Sequence, residues 1–184
     1  MRDTSNRPRL TAFGASSIGA SHPIFQDVIQ LSESIAKAGW DGQIGGHQGM
    51  MSAFSQGMVA GGGHARGITL ECFPTPPENS LSEEIRTHDF FTRMQQLIED
   101  CDAWIVLPGG LGTLAELAMT WDLLAIRMIQ ERPLILYGDM WPPILDTLNE
   151  HLYVSVNSII EHAQCCTKHD EVLTILNDNQ YNDV

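Results

Sequence analysis

A glycine-rich run that ends in a carboxylate is the part of the sequence best suited to chemistry. It reads Pro-Gly-Gly-Leu-Gly-Thr-Leu-Ala-Glu over residues 108–116. The apolar residues 103–107 before it predict a buried strand, and residues 114–128 after it predict a helix. Such a turn presents backbone N–H groups at a helix N-terminus, where they bind an anion such as phosphate. Glu116 would then lie beside the anion, which favours an enzyme acting on a phosphorylated small molecule.

Glu116 also has a structural interpretation. The pattern Thr113-x-x-Glu116 fits a capping box, in which both side chains bond free N–H groups at a helix start. A carboxylate folded back in this way is less available for chemistry, and the residues alone leave both interpretations open.

Two arginines are further candidates. Arg93 lies fifteen positions before Pro108 on a predicted helix, and the alternative for it is a solvated surface side chain. Arg86 is a candidate contact for a phosphate or a base, without support from spacing.

Other kinds of catalytic site are disfavoured. His47, His64 and His88 lie near glycine-rich or loop segments, but no pair has the spacing of a zinc site, so we expect no metal and no cofactor. Ser16 and Ser17 follow a strand, but the G-x-S-x-G elbow of a serine hydrolase is missing.

The elements that must position these residues alternate between strand and helix. The predicted strands cover residues 10–13, 41–44, 67–73, 103–107 and 133–137, and the predicted helices cover 23–38, 50–60, 87–100, 114–128, 141–152 and 169–176. This alternation predicts an α/β fold in one domain, a Rossmann-like parallel sheet with helices on both faces. The strand-to-helix turns 14–19, 45–49 and 108–113 would then meet at one edge of the sheet, where ligands bind.

Length and composition narrow the class of protein. The 184 residues predict a short flexible tail over residues 1–8 and one domain over residues 9–184. The net charge of −13 disfavours nucleic acid and anionic membranes as partners. Without a signal peptide or an apolar run of ~20 residues, we expect a cytoplasmic protein whose four cysteines are reduced and mostly in the core.

The motifs together resemble the Lonely-guy family, formerly described as lysine decarboxylases. The pattern Pro-Gly-Gly-x-Gly-Thr-x-x-Glu at 108–116 is the most specific match, and it is supported by Phe-Gly-Ala-Ser-Ser at 13–17 and Gly-Gly-His-Gln-Gly-Met-Met at 45–51. Arg93 lies at the distance from Pro108 expected for the catalytic arginine of that family. The resemblance covers residues 10 to 150 in the same order.

The resemblance implies a Rossmann-like homodimer that hydrolyses the N-glycosidic bond of a nucleoside 5′-monophosphate. The substrate class is cytokinin ribotides or AMP-like nucleotides, and the products are free base and ribose 5-phosphate. The implied catalytic pair is Arg93 and Glu116. The implied substrate-binding residues are Ser16, Ser17, Gly45, Gly46, Gly49, Gly109, Gly110, Gly112 and Thr113.

Some residues depart from the family pattern. Met94 stands where a lysine is usual, Ile44 replaces the first glycine of the second motif, and Leu111 stands where an aromatic residue is frequent. The proline-rich loop 74–79 is unlike that of a plant enzyme. These departures keep an alternative open, a carrier of a phosphorylated cofactor such as the molybdenum cofactor, which would use the same anion site without chemistry.

Two further activities are disfavoured. A DNA-processing relative of this fold would need many basic contacts, against a net charge of −13. A pyridoxal-phosphate decarboxylase would need a lysine for its Schiff base, but Lys37 and Lys168 both lie away from the glycine-rich turns.

Overall fold

Strands and helices alternate along the chain. The computed structural model describes residues 7–153 and 162–180. The strands are β1 (Arg9–Phe13), β2 (Asp41–Ile44), β3 (Ala65–Leu70), β4 (Glu83–Thr87), β5 (Ala103–Val106), β6 (Leu134–Tyr137) and β7 (Ala163–Cys166). The helices are α1 (Pro23–Lys37), α2 (Met50–Ala60), α3 (Phe90–Glu99), α4 (Leu111–Ala125), α5 (Trp141–His151) and α6 (His169–Gln180).

The strands form one parallel sheet in the order β4-β3-β2-β1-β5-β6-β7. The chain winds outward from β1 in one direction and continues from β5 in the other, so the strand order reverses between β1 and β5. In such sheets a crevice opens at the carboxyl ends of the two strands at the reversal. The turns after both strands meet there, because the Ala15 N–H donates to the carbonyl of Pro108 at 3.1 Å. The predicted Rossmann-like fold is confirmed.

Both faces of the sheet are covered by helices. Helices α1, α2 and α6 pack on one face, and α3, α4 and α5 pack on the other. Strand β5 is apolar throughout because it is buried on both sides. Its side chains alternate, with Ala103 and Ile105 in the first core and Trp104 and Val106 in the second. This burial holds β5 rigid beneath the glycine-rich turn that follows it.

Helix α1 shows why the predicted helices formed. Its apolar residues Phe25, Val28, Leu31 and Ile35 are all buried on one face, as their spacings of three and four predict. Pro23 occupies the first turn, where a missing N–H costs nothing. The helix ends before Gly39, whose φ of +97° favours glycine.

Two strands were missing from the sequence prediction. Strand β4 reads Glu-Glu-Ile-Arg-Thr, and β7 is the four-residue strand Ala-Gln-Cys-Cys. Both lie at the edges of the sheet, where little apolar surface is buried, so neither carries the run of apolar residues that marked the central strands. Because Thr87 belongs to β4, the helix predicted over 87–100 begins later, after Asp89 accepts hydrogen bonds from the N–H groups of Phe91 and Thr92.

The ends of two further elements were also predicted wrongly. Strand β3 covers Ala65–Leu70 rather than 67–73. Helix α4 covers Leu111–Ala125 rather than 114–128, because glycines at its start concealed the first turn.

Residues 1–6 of the predicted tail lie outside the described residues. Arg7 is tied to the domain, since its guanidinium donates to the carbonyls of Gly62 at 3.0 Å and Trp40 at 3.1 Å. Within the described residues, the helices are all too short or too polar to cross a membrane. All four cysteines are free, but only Cys101 and Cys166 are buried, so the expectation that most lie in the core is wrong.

Candidate active site

The glycine-rich turn places the start of α4 at the crevice. Gly110 is the residue before the helix, and no side chain caps the helix start, so the first N–H groups of α4 have no intrahelical partner. A Cβ on Gly109 would overlap the side chain of Thr113, which explains the glycine there. Gly110 and Gly112 face open space. The turn therefore presents free donors and the positive end of a helix dipole to a ligand.

The capping-box interpretation of Glu116 is wrong. Helix α4 begins at Leu111, so Thr113 lies inside its first turn and is buried instead of preceding the helix. The Glu116 carboxylate points to another helix, where it contacts Arg93. The side chain is thus available to a ligand rather than folded back on its own backbone.

Arg93 is fixed in the crevice by backbone carbonyls. Its Nη2 donates to the Gly45 carbonyl at 2.8 Å, and its Nε donates to the Ile68 carbonyl at 3.2 Å. Its Nη2 also lies 3.5 Å from Glu116 Oε1, and the two side chains are only 11% and 15% exposed. A Cβ on Gly45 would collide with the guanidinium. The surface-arginine interpretation is therefore wrong, and Gly45 leaves the space that Arg93 needs.

The electrostatics of this pair favour proton transfer near neutral pH. Burial raises the pKa of Glu116 to about 7, and the charge and hydrogen bond of Arg93 oppose this rise without cancelling it. Burial also lowers the pKa of Arg93, with Glu116 acting in the opposite direction. A carboxyl group that titrates near 7 suits a general acid or base at that pH.

Gly49 joins the first two turns. Its φ is +60°, and a Cβ there would lie 2.6 Å from the carbonyl carbon of Ser16. The next residue, Met50, donates its N–H to the Ala15 carbonyl at 2.8 Å. Gly49 therefore acts through close backbone packing, and it brings the turn after β2 against the turn after β1.

Two adjoining cavities open at this edge of the sheet. The first cavity has a volume of about 390 Å³, and the second cavity has a volume of about 320 Å³. Ser16, Met51 and Arg93 line both. The first cavity is also lined by the predicted residues Ser17, Gly110, Gly112, Thr113 and Glu116. The second cavity is also lined by Gly45, Gly46, His47, Gln48, Thr69, Leu70, Phe73, Pro74 and Pro76.

Most of the predicted site residues thus lie together. Gly49 and Gly109 line neither cavity and instead shape the turns. The sequence did not identify the residues of the second cavity after β3, such as Phe73 and Pro74. The only signal in the sequence is the proline-rich loop 74–79, which departs from the family pattern.

Arg86 has a different role from the one suggested. Its Nη2 donates to the carbonyls of Phe73 at 2.8 Å and Glu71 at 3.1 Å, and its Nη1 lies 3.2 Å from Glu84 Oε1. It therefore holds the loop that walls the second cavity. Among the described residues, His, Cys, Asp and Glu form no group of three arranged to hold a metal ion.

Comparison with known proteins gives relatives in sequence. The chain is 32% identical over 134 residues to a cytokinin riboside 5′-monophosphate phosphoribohydrolase of Arabidopsis thaliana, with 69% of this chain and 62% of that protein covered. A protein of the same name from Rhodococcoides fascians is 32% identical over 124 residues, with 65% and 56% covered. The chain thus spans less than two thirds of the length of these relatives.

Comparison of structures gives the fold. The molybdenum cofactor carrier protein of Chlamydomonas reinhardtii matches with a TM-score of 0.73 and 17% identity, over 95% of this chain and 98% of that one. At this identity the likeness concerns the fold alone.

The family assignment follows from the sequence. The model of a family described as "possible lysine decarboxylase" matches residues 51–178, a span that is more than half of the chain and contains both Arg93 and Glu116. Together with the curated relatives, this match means that the chain belongs to the Lonely-guy family.

Proposed function

We propose that the protein hydrolyses the N-glycosidic bond of a nucleoside 5′-monophosphate and releases the free base and ribose 5-phosphate. The observation that carries this proposal is the pair of Arg93 and Glu116, which are 3.5 Å apart in a cavity at the start of α4. Relatives named as phosphoribohydrolases support it.

The 5′-phosphate binds at the N-terminus of α4. The free N–H groups of the first turn and the helix dipole attract an anion without any lysine. Ser16, Ser17 and Thr113 line the same cavity with hydroxyl groups that donate to phosphate oxygens. This anchoring places the ribose over Glu116, on the following turn of the helix.

Glu116 acts on the sugar. Cleavage of an N-glycosidic bond develops positive charge on the ribose, which a nearby carboxylate stabilises. The same carboxylate takes a proton from the water that attacks C1′, and its pKa of about 7 suits this task. Arg93 stays charged, so it orients Glu116 and the substrate rather than donating a proton.

The carrier alternative loses the support of two sequence departures. Met94 is buried among the residues that pack α3 on the sheet, and Ile44 is buried in the opposite core. Neither side chain lines the first or the second cavity. These substitutions alter packing beneath the site, whereas Arg93 and Glu116 lie against each other in the first cavity.

A second copy of the chain completes the proposed enzyme. Leu111, Ala115 and Met119 recur every four residues and form an exposed stripe along α4. Leu111 is 84% exposed and lines the first cavity. An apolar stripe beside a site marks an interface, so we expect a homodimer. Sedimentation analysis should show a dimer for the wild type and a monomer for Met119→Glu. A monomeric wild type would contradict the proposed homodimer.

A panel of nucleoside 5′-monophosphates tests the activity. Each nucleotide is incubated with the protein, and free base and ribose 5-phosphate are measured in equal amounts. Hydrolysis of at least one supports the proposal, and the order of rates gives the base preference. The outcome against it is a protein that cleaves none and that carries pterin or molybdenum when purified from a host able to make that cofactor.

A further inference from the structure

A histidine paired with a carboxylate lines the second cavity. His47 follows β2 and Glu84 lies on β4, and His47 Nε2 is 3.0 Å from Glu84 Oε1. The histidine side chain is only 8% exposed. Neither residue takes part in the steps assigned to Arg93 and Glu116.

Glu84 is held in place as an anion. Thr69 donates its hydroxyl to Oε1 at 2.5 Å, and Thr75 donates to Oε2 at 2.8 Å. Burial raises the pKa of Glu84, but the hydrogen bonds of both threonines and the charges of His47 and Arg86 outweigh it and lower the pKa overall. His47 Nε2 is buried and makes no hydrogen bond within the described residues, so Glu84 restrains the imidazole by contact at ion-pair distance. Since Nε2 faces Glu84, Nδ1 is the nitrogen left for a ligand.

The second cavity has the form of a site for a planar base. Apolar side chains from Met51, Leu70, Phe73 and Pro74 contribute to its walls. Aromatic and proline surfaces of this kind pack against flat rings. The volume of about 320 Å³ is at the lower end for small-molecule sites, which suits one part of a ligand.

The two cavities fit the two ends of a nucleotide. They share Ser16, Met51 and Arg93, so a ligand can extend from one into the other past the guanidinium. If the phosphate binds at the start of α4 and the ribose lies over Glu116, the base extends into the second cavity.

We propose that the second cavity binds the base and that His47, positioned by Glu84, protonates the base as it leaves. The inference rests on the proposed function. When the C1′–N bond breaks, its electron pair passes to the base, and His47 gives a proton to a ring nitrogen. The water oxygen bonds to C1′ and its proton passes to Glu116. Solvent then returns one proton from Glu116 to His47, so atoms and charge balance.

The charged groups around His47 are compatible with this role. Glu84 faces it from β4, with Arg86 behind that carboxylate. Arg93 lines the cavity from α3 and cannot supply the proton itself. Among the residues that line the cavity, His47 carries the imidazole, the side chain that most often transfers protons in catalysis.

Two substrates with different leaving groups test the proposal. Adenine leaves AMP readily only when protonated, whereas 4-nitrophenyl ribofuranoside 5-phosphate releases a stable phenolate without a proton. The kcat and KM for both are measured with wild type, His47→Gln and Glu84→Gln. His151→Gln, at an exposed position at the end of α5, is the matched control.

A proton donor predicts a selective loss. In His47→Gln the kcat for AMP should fall by about 10²–10³-fold, while turnover of the nitrophenyl compound changes little. Glu84→Gln should show a smaller loss with the same selectivity. Equal losses on both substrates, or an unchanged kcat for AMP, overturn the proposal.

Further variants separate this proposal from the proposed function. Glu116→Gln should lose activity on both substrates. A wild type that cleaves no nucleotide and no nitrophenyl compound would refute the proposed hydrolase function itself. If circular dichroism shows that His47→Gln does not fold, the comparison of the two substrates with Glu84→Gln decides the matter.

Discussion

The guanidinium of Arg93 lies 3.5 Å from the carboxylate of Glu116, although these residues are 23 positions apart and on different helices. They meet because α3 and α4 pack on the same face of the sheet. The contact couples the two groups, since Arg93 restrains the rise in the pKa of Glu116 that burial causes.

Replacing Glu116 by glutamine should abolish turnover while the fold is retained. Glutamine keeps the size of the side chain but neither takes a proton nor bears a charge. We expect kcat for a nucleoside monophosphate to fall by about 10³-fold or more, measured as release of free base. Ala118→Ser, an exposed change on the same helix, is the control. An active Glu116→Gln variant would contradict the mechanism.

The activity should rise with pH through about 7. The reaction needs the ionised form of Glu116, whose pKa is raised to about 7 by burial against the influence of Arg93. Below that value kcat/KM should fall about tenfold per pH unit, and above it this limb should level off. The pH–rate profile of the wild type checks this. A limb near pH 4.5 would mean that Glu116 is not the titrating group.

The raised pKa of Glu116 also predicts how the stability of the protein depends on pH. The folded protein retains the Glu116 proton up to about pH 7, whereas the unfolded chain loses it near its ordinary value. The folded state thus binds more protons between about pH 4.5 and 7, and its stability falls as pH rises through that window. In urea unfolding at several pH values, the free energy of unfolding of Glu116→Gln should rise relative to that of the wild type by up to about 3 kcal/mol across this pH window. A constant difference between the two would contradict the shift.

Replacing Arg93 by lysine should not preserve activity. Lysine keeps the charge, but one ammonium cannot reproduce the directed bonds to the Gly45 and Ile68 carbonyls. We expect a loss of about 10²-fold in kcat/KM. Arg93→Met, which removes the charge, should in addition move the acidic limb of the pH–rate profile to higher pH, because Arg93 lowers the pKa of Glu116. The absence of that displacement would mean that the pair is not coupled.

The sequence predicted the centre of the fold better than its edges. Buried strands such as β5 are apolar on both faces and were found. The polar strand β4 and the short strand β7 are stabilised by a neighbour on one side, which single-sequence patterns do not report. The turns of the site were predicted for a different reason, because glycines follow β1, β2 and β5 where each of these strands passes into a helix.

The second cavity could not be predicted from local patterns. It depends on the position of the loop after β3, which Arg86 holds through the carbonyls of Glu71 and Phe73. It also depends on β4, which the sequence concealed and which brings Glu84 to His47. The contact between Arg93 and Glu116 was likewise implied by a family resemblance and not by spacing.

Adding a single methyl group at Gly45 should disturb the site without unfolding the protein. A Cβ there would collide with the guanidinium of Arg93 and lie 3.2 Å from Leu97 Cδ1. Because the arginine side chain is the flexible partner, it should move away from Glu116 rather than the backbone shift. We expect Gly45→Ala to lose about 10²-fold in kcat/KM.

The matched control for Gly45→Ala is Gly19→Ala, where a Cβ meets nothing within 4 Å, and its kcat/KM should be that of the wild type. In Gly45→Ala the free energy of unfolding should change little although the activity falls, because the displaced group is a side chain at a cavity and not part of the core. A large loss of stability, with activity per folded molecule unchanged, would mean that Gly45 serves the packing of α3 on the sheet. Full activity with full stability would mean that the position of Arg93 is unimportant to the reaction, and the assignment of the pair would then fail.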